Sequence, residues 1–167
     1  GILVGIEPTD FPNANDPFVC LNFQKEIEHK CWNAAGQTQQ VPAQGLQDFV
    51  EGVKTTEFPR SSYQPGIVSV NLKEVLPEFV YSRLRQAFLD FNQKMPGFIT
   101  NDAVVHAPES RTSSPVLIPR DPISFKHIRI SNLYPIAEGA GYAGGIVSAA
   151  IDGLNCIEKI AQSPLST

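Results

Sequence analysis

The stretch Leu133-Tyr134-Pro135-Ile136-Ala137-Glu138-Gly139-Ala140-Gly141-Tyr142-Ala143-Gly144-Gly145-Ile146 decides how this chain is read. Leu133 to Ala137 is apolar and reads as a strand. Residues 138–145 form a Gly-rich turn. Residues 146–161 keep helical spacing, with Ile146, Ala149, Ala150, Gly153, Ile157 and Ile160 on the inner side. Glycines 139, 141, 144 and 145 let a backbone approach a ligand without side-chain clash. The helix that follows offers unbonded first-turn N–H groups and a positive dipole end, which suit an anion or an electron-rich carbonyl. Gly139 and Gly141 satisfy GxG, but the spacing is not the GxGxxG of a first βαβ unit. Two readings stay open at this point. One is a ligand site; the other is a tight turn whose glycines only allow close strand–helix packing.

Working outward from this stretch, the chain alternates short strands and helices. Ile2–Ile6 reads as a strand, ended by Glu7-Pro8. Asp16-Pro17 is a helix start, and Cys20, Phe23, Ile27, Cys31 and Ala34 carry the apolar face up to Gly36. Val41-Pro42-Ala43-Gln44 precedes a short helix over Leu46–Glu51, stopped by Gly52. Residues 53–66 lack periodicity and read as a surface loop. Ile67 to Leu72 reads as a short strand or an extended lead-in. Pro77 opens the clearest helix, with Val80, Leu84, Ala87, Phe88, Phe91 and Met95 inward and Pro96-Gly97 at its end. Phe98-Ile99, Ala103 to His106 and Val116-Leu117-Ile118 read as strands, and shorter extended pieces lie near Phe125 and Ile128–Ile130. The tail beyond Gln162 should fray.

Composition narrows the function classes. Of 167 residues, 42% are hydrophobic and 18% charged, enough apolar material for a packed core. The net charge is −4, and no run of Lys or Arg exceeds an isolated pair, which argues against a nucleic-acid footprint. No apolar run approaches the ~20 residues that span a bilayer. Cys20 and Cys31 fall on one helix roughly 16 Å apart, too far for a disulfide. With Cys156 they read as reduced thiols of a cytoplasmic protein. No cysteine or histidine spacing suggests a metal site. The first residues lie mid-strand and the one methionine is Met95, so the sequence reads as an excised piece of a longer protein.

The run Tyr134 to Gly153 resembles the closing motif of a family of FAD-dependent dehydrogenases, roughly YPxGEGAGYAGGIxSAAxDG. Glu109-Ser110-Arg111-Thr112-Ser113-Ser114-Pro115-Val116 is a second matching piece. Pro42-Ala43-Gln44 with Asp48-Phe49 is a weaker third. Together they span most of residues 1–161. The resemblance implies an α+β chain with an incomplete flavin domain. Residues 1–130 would form a mixed cap or substrate domain. Residues 131–162 would be the last strand, Gly-rich turn and helix of a Rossmann-like FAD-binding domain, with 163–167 a tail. An N-terminal half absent from this sequence would hold the ADP part of FAD.

The resemblance also implies site residues. Glu138 would accept a hydrogen bond from the flavin ribityl chain. Gly139 and Gly141 would allow close approach, and the amides near Gly144, Gly145 and Ile146 would meet the pyrimidine edge of the ring. Arg111, Ser113 and Ser114 would lie nearby. Ile136 departs from the Gly or Ala often found before the acidic dipeptide in flavoproteins. On its residues alone, the 109–115 segment is equally a turn in which Arg111 pairs with Glu109 or caps a helix. His29, His106 and His127 are scattered and form no triad with Ser and Asp. Trp32 and the α-helical stripe from Val80 to Met95 read as core.

Three functions follow as alternatives. The chain is part of an FAD-dependent oxidoreductase acting on a small molecule that these residues do not name, and is inactive alone. It is a non-catalytic module that recognises an anionic ligand or a partner protein. Or it is one half of a split flavoprotein. The exposed edges of strands 2–6 and 133–137 would favour a homodimer.

Overall fold

The computed structural model describes residues 1–162. The tail assigned to 163–167 lies outside them. The chain is mixed α+β, as its sequence predicts, and separates into two compact units. The first takes residues 1–7 and 23–110, the second, among the described residues, 8–22 and 111–162.

The first helix, α1 (Val19–Ala34), crosses that division. Its start is built by Asp16, whose Oδ1 accepts from the Phe18 amide at 2.9 Å. Its end is a left-handed turn at Gly36 (φ 71) and Gln37 (φ 60). Ile27 and Cys31 are buried, and Phe23 and Ala34 pack beside them. Burial pushes the Cys31 thiol up to about 11. Trp32, expected in the core, is 43% exposed and lies against the His29 ring instead.

A three-stranded sheet follows, with β1 (Val41–Gly45) between β2 (Ile67–Ser69) and β3 (Val104–His106). β1 runs parallel to β2 and antiparallel to β3. Pro42 is tolerated because it lies just past the β3 ladder, where its carbonyl still accepts from the Ala107 amide at 3.1 Å. Helix α2 (Leu46–Glu51) leaves β1 directly and stops at Gly52, which is left-handed (φ 73). Helix α3 (Glu78–Lys94) begins after Pro77. The core joins α1, α2 and α3: Phe49 is fully buried, 4.9 Å from the Tyr81 ring and edge-on to Phe88 at 5.4 Å. Met95, predicted on the inner face of α3, is 51% exposed at the helix end.

Pro42-Ala43-Gln44 and Asp48-Phe49 are parts of this packing. Gln44 is fully buried, donates to Val53 O and Asp48 O, and accepts from the Leu72 amide. Thr55 Oγ1 accepts from the Gly45 amide and donates to Asp48 Oδ2, each at 2.7 Å. Asn101 Oδ1 accepts from the Gln47 and Asp48 amides, and its Nδ2 donates to Asp48 Oδ1. Every buried side-chain polar atom among the described residues is paired.

Four expected strands are irregular instead. Ile2–Ile6 has no neighbouring strand among the described residues, and the Gly5 carbonyl accepts from Arg83. Phe98-Ile99 is held by the end of α3 and by Asn92. Val116–Ile118 and Leu133–Ala137 spend their backbone groups elsewhere. The Ile118 carbonyl accepts from Tyr142, the Pro135 carbonyl from Arg120, and the Ala137 amide donates to Asp152. Pro135 has no N–H to give a ladder. Dimerisation through the edges of 2–6 and 133–137 therefore loses its template.

The last helix, α4 (Ile146–Gln162), is turned from its expected orientation. Ile146 is 92% exposed and Ile157 61%, whereas Cys156 is 1% exposed. The sheltered line runs Ala149, Asp152, Gly153, Cys156, the spacing of one helix face. Only Ala149 and Gly153 belong to the predicted inner side. The exposed apolar stripe is Ile146, Val147, Ile151, Leu154 and Ile157.

Candidate functional site

The Gly-rich turn lies within the second unit, and a chain of backbone constraints shapes it. Ala137 holds φ 58 and ψ −154, a region that residues with a Cβ rarely occupy. Its amide donates to Asp152 Oδ2 at 2.8 Å, and its carbonyl accepts from the Tyr142 amide at 3.0 Å. Glu138–Ala140 is one 3-10 turn, closed by Gly141 at φ 83. The Ala140 carbonyl accepts from the Ile118 amide at 3.1 Å. Gly141 is required twice over: its φ is left-handed, and a Cβ there would stand 2.8 Å from the Val116 carbonyl oxygen. Gly145 starts α4. Its carbonyl accepts from the Ala149 amide, and its own amide donates to Ser148 Oγ. The next amides, Ile146 to Ser148, have no intrahelical acceptor, as at any helix start.

These pieces enclose an open cleft of about 200 Å³, lined by Ser113, Ser114, Glu138, Gly141, Tyr142, Ala143 and Gly144. Five residues singled out from the sequence thus meet in one place: Ser113, Ser114, Glu138, Gly141 and Gly144. Gly139 and Gly145 flank them on the same turn, and Ile146 stands at the mouth of α4. Ser114 Oγ is already committed to Val116 O at 2.9 Å, while Ser113 Oγ stands beside Gly144. Arg111 is exposed and does not line the cleft. Its neighbour Ser110 belongs to the first unit, where it donates to Glu28 on α1 at 2.6 Å.

Sequence reasoning passed over the group that braces the turn. Arg120 forms a fork onto Asp152, with Nη1–Oδ2 at 2.9 Å and Nη2–Oδ1 at 2.6 Å. Nη1 also donates to the Pro135 carbonyl at 2.8 Å. The guanidinium carbon is 3.7 Å from the Tyr142 ring centre and 4.1 Å from that of Phe125. Tyr142 Oη accepts from the Arg120 amide and donates to the Ile118 carbonyl. The hydrogen bond to Arg120 holds the Asp152 carboxyl below the usual range, and the same bond raises Arg120. Burial pushes the Cys156 thiol up, with Arg120 opposing. One sequence signal could have found Asp152: it is the only charged residue between Ile146 and Ile157, and a lone charge in an apolar helix calls for a partner.

Chemically, the cleft offers one carboxylate, a free-standing hydroxyl, an aromatic wall and a side-chain-free backbone beside a helix start. A Cβ at Gly139 would meet nothing within 4 Å, so the turn is open there. Such a set accepts hydrogen bonds from ligand hydroxyls through Glu138 and donates amide hydrogens to ligand carbonyls. Among the described residues no cluster of His, Cys, Asp and Glu is arranged for a metal, and no helix is long and apolar enough to cross a membrane.

Comparison with known proteins supplies the family. A protein of Clostridium beijerinckii, described as uncharacterized, is 34% identical over 163 residues. That match takes in 96% of this chain and 30% of the relative, so the chain spans under a third of the relative's length. Residues 1–112 match the family described as "FAD-dependent protein, C-terminal domain-like", a stretch that contains the whole sheet and helices α1 to α3. The chain belongs to that family of C-terminal domains of FAD-dependent proteins.

Proposed function

We propose that this chain is the C-terminal part of an FAD-dependent oxidoreductase, a dehydrogenase, in which it supplies a substrate cap and the segment that closes over the flavin. The observation that carries the reading is the cleft, where Glu138, Ser113 and the Gly141–Gly144 backbone converge at the start of α4. The donor set suits a flavin. Ribityl hydroxyls donate to a carboxylate such as Glu138. The ring carbonyls accept from amides such as those of Gly144, Gly145 and Ile146. Bound FAD would supply two-electron redox chemistry. The positive end of α4 would favour the charge that collects on the ring when it is reduced.

The exposed stripe of α4 supports the same reading. Ile146, Val147, Ile151, Leu154 and Ile157 face water, and covering apolar surface is favourable by about 25 cal/mol per Å². A flavin-binding N-terminal half, in a relative more than three times as long, is the proposed cover. The small-molecule substrate belongs to that whole protein.

Two measurements test the proposal. The full polypeptide should purify yellow, and Glu138→Ala should retain less flavin by absorbance. An unchanged flavin content removes Glu138 from the site. The isolated 167-residue chain, lacking a grip for the ADP part, should not bind FAD at micromolar concentration. A full polypeptide that stays colourless in excess FAD would instead favour a non-catalytic binding module.

A further inference from the structure

We infer that Arg120 and Asp152 are positioning residues, whose ion pair sets the shape in which the turn 137–145 presents Glu138 and its backbone amides to the cleft. The inference rests on the flavin reading for the ligand's identity and on geometry for the coupling.

Three observations carry it. First, Asp152 Oδ2 is shared, accepting from Arg120 Nη1 at 2.9 Å and from the Ala137 amide at 2.8 Å. The carboxylate that binds the guanidinium therefore also holds the residue immediately before Glu138. Secondly, that residue needs holding, because Ala137 sits at φ 58 and ψ −154, where a Cβ is disfavoured. Thirdly, the guanidinium reaches the cleft wall itself. It stacks on Tyr142 at 3.7 Å, and Tyr142 lines the cleft. Arg120 Nη1 also fixes the Pro135 carbonyl, two residues ahead of Ala137. Side chains of the pair are 9% and 14% exposed, so water competes poorly for these bonds. A planar fork is needed to serve Asp152 and two ring faces together, and lysine has neither the plane nor the second parallel donor.

The test uses the full polypeptide and three variants, Asp152→Asn, Arg120→Lys and the double substitution, with Glu138→Ala as reference. Three quantities are read: amide hydrogen exchange across 137–145, FAD affinity of the apoprotein, and visible circular dichroism of bound flavin. Asp152→Asn should speed exchange at Ala137, weaken FAD about tenfold and change the flavin dichroism. Arg120→Lys should fall in the same direction. The double variant should stay within about twofold of Asp152→Asn, since one unit is broken once. A lowered melting temperature with unchanged turn exchange and unchanged FAD affinity overturns the inference and leaves the pair a purely structural brace. If the unsubstituted protein takes up no FAD, the flavin reading fails and the exchange data decide alone. Faster turn amides in Asp152→Asn then uphold the clamp, and unaltered ones refute it.

Discussion

The two units are held by different physics. The first buries a continuous cluster from Ile27 through Phe49, Leu72 and Phe88 to Ala107. Its polar groups form a connected network at the edge of that cluster, with Gln44 and Thr55 buried and Asp48 and Asn101 partly so. The second unit buries little apolar matter, chiefly Val19, Phe125, Ala140 and Cys156, and leaves a stripe of α4 in water. It is organised by Arg120 instead. Hydrophobic burial is non-directional and tolerates small shifts. A forked ion pair stacked between rings fixes angles as well as distances. The unit that carries the cleft is thus the one whose shape depends on directional bonds.

The largest effect that separates the two belongs to the first unit. Phe49→Ala should cost about 3–5 kcal/mol, because a fully buried ring between Tyr81 and Phe88 leaves a cavity that packed helices cannot refill. Denaturant unfolding measures it, and a loss below about 1 kcal/mol would mean that the cluster is looser than its burial indicates. In the second unit Gly141→Ala should be the worst single change. It combines a left-handed backbone, costing about 1–3 kcal/mol, with a Cβ overlapping the Val116 carbonyl. Its signature should be loss of the Tyr142 environment in near-ultraviolet dichroism. Gln44→Ala should cost about 1–3 kcal/mol for the Leu72 amide it strands, a polar loss inside an apolar core.

The sequence conveyed the first unit more completely than the second, for a related reason. α1, α2 and α3 announce themselves through apolar periodicity and end signals such as Asp16, Gly36, Gly52 and Pro77, all of them local. The sheet was half legible. β3 reads as a strand and β2 as a strand or an extended lead-in, but the central β1, with Pro42 in it, does not, and Ile2–Ile6 has the composition of a strand with no strand beside it among the described residues. In the second unit, Leu133–Ala137 looks like a strand because its residues are apolar. Its carbonyls and amides instead go to Arg120 and Asp152, side chains 15 residues away along the chain. The glycines of the cleft were legible because only glycine suits Gly141. The clamp was not, since Arg120 and Asp152 stand 32 residues apart with no periodicity to link them. The orientation of α4 went astray for the same cause. Apolarity pointed Ile146 and Ile157 inward, while the ion pair turned Asp152 and Cys156 inward.

The contrast can be sharpened by acid. Asp152 has its carboxyl depressed by Arg120 first and by the Ala137 amide as well, with burial opposing. An unfolded aspartate titrates near about 3.9. The pair's contribution is therefore complete above that value and is lost as pH falls through the lower native value. Protection of the turn amides at 137–145, corrected for the intrinsic pH dependence of exchange, should begin to fall below about pH 4, and Asp152→Asn should remove that acid-dependent part. Protection that stays constant with pH in the unsubstituted protein would mean that the carboxylate charge contributes nothing to the turn.

The smallest effect is a gain. Ala137 is kept in a left-handed, extended conformation by bonds on both sides, to Asp152 and to Tyr142. Ala137→Gly removes the Cβ conflict, worth about 1–3 kcal/mol, and adds unfolded-chain freedom worth about 0.4–1 kcal/mol against it. The net should be a small stabilisation, read as a rise in the unfolding midpoint. The same change separates the clamp's two tasks. With glycine at 137 the backbone no longer has to be forced into shape, so Asp152→Asn should destabilise less than it does with alanine there. An equal cost in both backgrounds would mean that Asp152 acts on Arg120 alone, and that the bond to the Ala137 amide follows the turn's shape without setting it.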